Sequence, residues 1–386
     1  MKINVGVFLG GVSVEHEISV ISAIQAIYAI DKERFNIIPI YITKNGFMVT
    51  GNNLLDIENY KNTEKLIASC DQITITRQGK DVFLFKIPSK RFSNNIVGKV
   101  DIAFPIVHGT NCEDGTIQGL FEILRLPYVG SDILASSLCM DKIMMKHVLK
   151  ENDLPVLDCI AFYTKELKVN NEEIINHIES EIGYPIIVKP ANLGSSIGIK
   201  KANNRQQLEK AISLAGEFSN RILVEKAIVR LKEINCAVLG DYETANASVC
   251  EEPINSDEIL SYSDKYMSKN SSKGMSSSKR KLPADIAPEV ELIIKNMAIR
   301  AFNSLCCNGV ARIDFLIDLD MKNKIYVNEV NTIPGSLSFY LWEATGKSFT
   351  ELLSELIDLG FKRDRERKNL MYTYNSNIFS VSGSKG

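Results

Sequence analysis

Ala311-Arg312-Ile313-Asp314-Phe315 and Asn328-Glu329-Val330-Asn331 set an arginine, two carboxylates and an amide inside otherwise apolar, β-branched runs. Polar groups at such positions cost free energy unless something compensates them, so their presence points to a charged ligand. Side chains alternate across a strand, which puts Arg312 and Asp314 on one face and Glu329 and Asn331 on one face. The turn-like Asp318-Leu-Asp-Met-Lys-Asn323 between the two runs predicts an antiparallel hairpin. That hairpin would converge three oxygen ligands and one guanidinium. Two carboxylates and an amide oxygen suit a hard cation such as Mg²⁺ accompanied by nucleotide phosphates. A pair of surface strands with charges facing water is the alternative at this level.

Working outward, the 386-residue chain is long enough for two or three domains and a substantial core. A hydrophobic content of 45%, a charged content of 24% and a formal charge of -2 give no bulk attraction to nucleic acid or anionic membrane. Ligand recognition must therefore be local. The eight cysteines form no C-x-x-C pair, and Cys306-Cys307 falls in an apolar stretch read as helical. Reduced, mostly buried thiols in a cytoplasmic protein are the economical reading. The N-terminus is too short in apolar residues and too polar for a signal peptide, no run approaches membrane-spanning length, and four histidines without H-x-x-x-H spacing argue against a zinc enzyme.

Residues 3–9 read as a strand, followed by a Gly10-Gly11 turn and a helix with Ser13 as its cap. Strand-like runs at Asn36–Ile42 and Asp101–Val107 extend this to an α/β domain with a parallel sheet and ligand groups at its C-terminal edge. Helices are expected at Ile117–Leu126 and Leu134–Leu149, and Pro155 marks a break. The middle segment reads as helix (Asn171–Glu181), strand (Ile186–Lys189), glycine loop, strand (Ile197–Lys201), helix (Gln206–Ala215) and strand (Arg221–Val224). The last third offers strands at Cys236–Leu239 and Ala245–Cys250, a helix at Pro288–Leu305, the hairpin, and a helix at Phe349–Leu359. Ser256 to Pro288 is a long, basic, serine-rich segment with little apolar periodicity, of the kind that closes over an anion as a lid or is simply solvated. The Ser/Gly-rich end from Asn375 to Gly386 is expected to be disordered.

Lys189-Pro-Ala-Asn-Leu-Gly194-Ser195-Ser196-Ile-Gly198 is a small-residue turn whose backbone N–H groups and serines can donate to phosphate, with Lys189 as a fixed positive charge. Gly-Ser turns also join many ordinary hairpins. Gly346-Lys347-Ser348 imitates a phosphate-loop ending, but the glycine required five positions earlier is Leu341. No G-x-G-x-x-G follows the first strand.

Together these motifs resemble the ATP-grasp superfamily. Gly10-Gly11-Val-Ser-Val-Glu15-His16-Glu17-Ile-Ser, His108-Gly109 with Glu113-Asp114-Gly115-Thr116, Tyr128-Val-Gly-Ser131, Met140-Asp141-Lys142 and Asn331-Thr-Ile-Pro-Gly335 sharpen the resemblance to the D-alanine–D-alanine ligases. Over residues 1–360 the chain looks most like their vancomycin-resistance relatives, the D-alanine–D-serine ligases of VanG type. The resemblance implies an α/β chain, α+β in parts, of three domains: 1–139 binding the first D-alanine, a central subdomain 140–227, and a C-terminal domain 228–363 with a lid loop 256–287 and the metal site. Nucleotide would lie between the last two, and 364–386 would be a disordered tail.

It further implies a two-step reaction. ATP phosphorylates the carboxylate of D-alanine, and the amine of a second amino acid, D-serine or D-alanine, captures the acyl phosphate. Asp314, Glu329 and Asn331 resemble the ligands of two Mg²⁺ ions, for which Mn²⁺ could substitute. Arg312 resembles the residue that steadies the phosphoryl group and the oxyanion, with the backbone N–H of Gly335. Lys142 and Lys189 match the phosphate lysines, aided by Ser195 and Ser196. Glu225, Lys226, Ile228 and Glu233 match the adenine and ribose contacts, although the spacing from Glu225 to Glu233 is one residue longer than usual. Glu15 matches the anchor of the first substrate's ammonium, with His108 beside it. On the residues alone it reads equally as a helix first-turn acid.

Lys265 and Tyr266 match the lid pair, Tyr266 reaching Ser195 and through it Glu15. A tyrosine there favours an amine acceptor over a hydroxyl one. Many relatives follow the Pro-Gly turn with Phe-Thr and a later Ser, whereas this chain reads Ser336-Leu337-Ser338-Phe339-Tyr340-Leu341-Trp342. Ser336, Tyr340 and Leu341 would border the second amino acid, so the acceptor stays open. The resemblance also implies a homodimer and a place in peptidoglycan precursor synthesis, with glycopeptide resistance or routine wall synthesis as its setting. Another ATP-grasp carboxylate–amine ligase and a nucleotide-gated amino-acid sensor without chemistry are the competing readings.

Overall fold

The computed structural model describes residues 2–89, 94–194, 197–254 and 280–374. It contains three sheets. The first is seven-stranded: β1 (Ile3–Gly10), β2 (Phe35–Ile42), β3 (Met48–Thr50), β4 (Asp71–Gln78), β5 (Asp81–Lys86), β6 (Ile96–Val100) and β7 (Ile102–Pro105), in the order β6-β5-β4-β3-β2-β1-β7. Only β1, β2 and β7 run parallel. The three runs read as a parallel sheet thus form its parallel core, and β3 to β6 add an antiparallel extension: the links β2–β3, β4–β5 and β5–β6 are too short for crossovers, while β3 and β4 pair antiparallel across the helical residues 51–70. The helix His16–Ala29 follows β1 as read, but Ser13 is not its cap. Glu15 holds that position, and Ser13 Oγ instead accepts from the Glu15 N–H at 3.1 Å.

The second sheet is antiparallel, β10-β9-β11-β8, made of β8 (Cys159–Tyr163), β9 (Ile186–Pro190), β10 (Lys200–Ala202) and β11 (Arg221–Lys226). The strand expected at Ile197–Lys201 begins only at Lys200. Helices Leu167–Glu181 and Arg205–Gly216 cover this sheet, burying Ile175, Ile178, Leu208 and Ile212 against Val188, Ile222 and Val224.

The third sheet runs β14-β13-β12-β15-β16, from β12 (Leu231–Gly240), β13 (Ala245–Pro253), β14 (Arg280–Lys281), β15 (Gly309–Asp318) and β16 (Lys324–Asn331). Burial alternates along β15, with Ala311, Ile313, Phe315 and Ile317 inward and Arg312 and Asp314 on the other face. The helix Pro288–Ser304 packs beneath it through Ile294, Ala298, Ala301 and Phe302. That helix stops before Cys306, which is exposed with φ 56° in the turn that follows rather than helical. None of the eight cysteines is in a disulfide, and Cys112, Cys139, Cys236, Cys250 and Cys307 are buried.

The stretch read as one helix, Leu134–Leu149, is two: Ile133–Met140 and Lys142–Glu151. Asp141 separates them by capping the second, its carboxylate accepting from the N–H groups of Ile143 at 3.1 Å and Met144 at 3.0 Å. Ala135, Cys139, Met145 and Leu149 belong to the core of the third sheet. The last helix, Phe349–Lys368, extends nine residues past the expected Leu359, so residues 364–368 are ordered helix rather than tail. Its buried face, with Ile333, Leu337, Tyr340 and Trp342, shares one apolar core with the first sheet. Gly346 and Ser348 of the imitation phosphate loop are the stop of one helix and the capping box of the next. Among the described residues no helix is long and apolar enough to cross a membrane.

Candidate active site

The hairpin forms as read. Asp314 lies opposite Glu329, and Arg312 opposite Asn331. Residues so paired share a face with Cβ atoms roughly 5 Å apart. Arg312 grips Asp314 with both ends of its fork, Nε to Oδ1 at 2.6 Å and Nη2 to Oδ2 at 2.7 Å, and Asn331 Nδ2 donates to Oδ2 at 3.2 Å. Burial disfavours the guanidinium charge, but the Asp314 carboxylate more than offsets this and holds Arg312 firmly cationic. Among the described residues no group of three or more His, Cys, Asp or Glu side chains could hold a metal ion. The donor set here is two carboxylates with an amide.

The second sheet and the helix Lys142–Glu151 bring cations to this face. Lys142 Nζ donates to Leu193 O at 2.8 Å and stands 3.6 Å from Glu329 Oε2. Lys189 Nζ, on β9, donates to Asn328 Oδ1 at 3.0 Å and is ion-paired with Glu225 on β11. Lys146 pairs with the same carboxylate at 2.9 Å. Burial pushes the Glu225 carboxyl up, yet Lys146 and Lys189 hold it down at about 2. Lys146 was not anticipated; its spacing of one helical turn from Lys142 was the available signal. The Lys226 ammonium serves elsewhere, donating to the carbonyls of Ile182, Gly183 and Tyr184 at the end of a helix. Ile228 and Glu233 are partly buried, Glu233 on β12 opposite Leu316.

Glu15 is buried at the mouth of the first sheet, between two glycine segments. A Cβ built on Gly109, whose φ is +77°, would stand 2.7 Å from Glu15 Oε2, and one on Gly194 would stand 2.9 Å from the same atom. The His108 turn and the Lys189 glycine loop thus both close on this carboxylate. His108 Nε2 meets Ser22 Oγ at 3.0 Å, and the same oxygen accepts from the Ser336 N–H at 3.0 Å. Burial lowers His108 to about 4 against an opposing backbone bond with Ile333, and the charge of Arg312 lowers it further. The imidazole is therefore neutral.

Glu113, present in the sequence only as part of a motif, becomes a site residue. Burial and the nearby Glu15 raise its carboxyl to about 8, against the N–H donors of Ile333 at 3.2 Å and Gly109 at 3.3 Å. In the His16 motif, His16 bonds Gly11 O at 2.6 Å and the Tyr41 hydroxyl at 2.8 Å, fixing the turn that precedes Glu15.

After Gly335 the chain makes three left-handed residues, Ser336, Leu337 and Ser338, with φ of 52°, 53° and 50°. Ser336 Oγ donates to Gln25 Oε1 at 2.7 Å. Tyr340 is buried with its hydroxyl on Glu251, and Leu341 is wholly buried in the large apolar core. Ser195, Ser196, Lys265 and Tyr266 lie outside the described residues, as do residues 256–279 of the lid expected at 256–287. The far end of that segment is described, and Arg280–Lys281 there is a strand paired with Glu252 and Pro253.

The structural and sequence kinships agree with this geometry. Family models described as D-ala D-ala ligase N-terminus and C-terminus match residues 4–131 and 148–358. A D-alanine–D-alanine ligase of Thermosipho melanesiensis is 40% identical over 383 residues, covering 99% of this chain and 100% of that protein. The D-alanine–D-alanine ligase structure from Coxiella burnetii superposes with a TM-score of 0.78 at 30% identity, covering 95% of this chain and 96% of that one. The VanG D-Ala:D-Ser ligase from Enterococcus faecalis gives 0.77 at 32% identity, with 93% and 100% covered. With its three sheets in the ATP-grasp arrangement and matches along nearly its whole length, the chain belongs to the D-alanine–D-alanine ligase family.

Proposed function

We propose that the protein joins two D-alanine molecules at the expense of ATP, through a D-alanyl phosphate, to supply the dipeptide of peptidoglycan precursors. The observation that carries this is the convergence of Glu15, the Lys142 and Lys189 ammonium groups, Arg312 and the Asp314–Glu329 pair from three sheets onto one region. A carboxylate is a poor acyl donor until one of its oxygens becomes a good leaving group, and the charge built up in each step must be met by preorganised cations. The paired carboxylates of Asp314 and Glu329, with the Asn331 amide bonded to the first, fit Mg²⁺, which takes one or two carboxylates plus phosphate oxygens. When bound, the ion neutralises phosphate charge.

The chain's own groups do the rest. Lys142 and Lys189 receive phosphate oxygens, and Glu225 and the strand end after it receive the base. Glu15 binds the ammonium of the first D-alanine, aiming its carboxylate at the phosphorus. Neutral Glu113 and neutral His108 add no charge that would compete with Glu15 for that ammonium or repel Arg312. Arg312, held rigid by Asp314, meets the charge of the transferring phosphoryl group and then of the tetrahedral oxyanion, beside the Gly335 N–H. An intact set of this kind has no use in a sensor without chemistry.

Incubation with ATP, Mg²⁺ and D-alanine should give D-alanyl-D-alanine and one phosphate per dipeptide; neither product would reject the assignment. D-Serine as acceptor is the second reading, favoured by the likeness to the VanG ligase and by the Ser336–Trp342 segment. Competition between D-serine and D-alanine, with dipeptides resolved by mass, separates the two.

A further inference from the structure

The third sheet carries one polar row across its strands. Glu329 lies opposite Asp314, Asp314 opposite Asn235, and Asn235 opposite Glu251. Directly paired residues point to the same side of a sheet, so the row starts at the acidic pair of the site and runs along the same face. It ends two strands from Asp314, about 10 Å at ordinary strand spacing, at a buried carboxylate that the chemistry above leaves without a task. Glu251 accepts from Asn235 Nδ2 at 3.0 Å, from the Tyr340 hydroxyl at 2.8 Å and from Arg280 Nη1 at 2.9 Å. The Arg280 guanidinium carbon lies 3.9 Å from the centre of the Tyr340 ring. Pairing of Arg280 with Pro253 fixes its backbone, and its side chain is only 11% exposed.

A buried ion pair contributes little to stability compared with apolar residues of the same volume, so a guanidinium clamped between a carboxylate and an aromatic face points to a use. A guanidinium has five N–H donors in a rigid planar fork and can serve a second carboxylate while keeping the first. Tyr340 belongs to the segment in which this chain departs from many relatives, and both Tyr340 and Glu251 lie within electrostatic reach of Arg312. An amino acid with its amine toward Arg312 and its carboxylate toward Arg280 would lie along the row.

We propose that Arg280, oriented by Glu251 and Tyr340, binds the α-carboxylate of the accepting amino acid and so determines which acceptors react. The proposal rests on the ligase reading. It makes Arg280 a binding residue and makes Glu251 and Tyr340 positioning residues.

The test is an internal competition. The full chain receives ATP, Mg²⁺, D-alanine and D-alaninamide, whose amide lacks the negative charge, and the ratio of D-alanyl-D-alanine to D-alanyl-D-alaninamide is read by mass. Both products come from the same active molecules, so the ratio does not depend on how much of a variant is folded. Arg280→Ala should lower the preference for the free acid about 30-fold or more, the usual loss when one partner of a buried charge pair is truncated. Arg280→Lys should retain part of the preference, and decides the matter if the alanine variant makes no product. Tyr340→Phe, which keeps the ring but not the hydroxyl, should fall between wild type and Arg280→Ala. A wild-type ratio in the arginine variants overturns the proposal. Absence of any dipeptide from the wild type would instead remove the ligase reading and this inference with it.

Discussion

Glu113 shows how a single residue's role emerges from its neighbours. With its carboxyl raised to about 8, it stays protonated in the folded protein at pH values where the unfolded chain has ionised it. Stability contributed by a raised carboxyl is complete below the ordinary value near 4.5 and is lost as pH rises toward 8. Glu113→Gln should therefore gain stability relative to wild type over that window. Urea melts of the unliganded proteins at pH 5 and pH 8 check this, and a constant difference would contradict it. Arg312→Ala should lower kcat by roughly 10² or more while ATP binding persists; an effect confined to KM would mark Arg312 as a binding residue only. Glu329→Ala should leave turnover near background at any Mg²⁺ concentration, and near-normal activity would refute the metal assignment. Arg312, Asp314 and Glu329 were legible because alternation alone fixes which strand residues share a face. Glu113 and Lys146 were not, since their importance lies in contacts made across the fold, Glu113 with Ile333 and Lys146 with Glu225.

Among the elements, the hairpin and the helices with strong apolar periodicity were readable, and so were three of the four strands of the second sheet, Cys159–Tyr163 being missed. The failures have local causes. Asp141 looks unremarkable inside a helical pattern until its carboxylate caps the following turn. Strands β3 to β6 are short or only half-buried, so their hydrophobic signal is weak. The run Glu351 to Lys368 is polar on much of its surface, which hid its length, although Ser348 and Glu351 announce its start. Their reciprocal bonds give a prediction at this scale. Ser348→Ala removes the cap and should cost about 1 kcal/mol in urea unfolding, with activity preserved.

Across the whole molecule, cores do not follow chain order. The first sheet shares its apolar interior with Leu337, Tyr340, Trp342 and the helix Phe349–Lys368, while the second sheet keeps a smaller core of its own. The last helix is also bonded from its polar side: Arg363 donates to Tyr128 O at 2.7 Å, Arg367 clasps Glu122, and Lys362 reaches Asp241 at 2.5 Å. Truncation after Leu359 should therefore lower the melting temperature by roughly 5 °C or more, several lost contacts at a few degrees per kcal/mol. An unchanged melt would show those contacts to be passive.

The shared interior also constrains the order of assembly during synthesis. A ribosome releases β1 to β7 long before the helix Phe349–Lys368 exists, leaving Ile102, which lies against Gly360 of that helix, without the partner that finally covers that side of the sheet. The nascent chain must carry this sticky surface through most of translation, and its first domain is complete only when nearly the last helix has emerged.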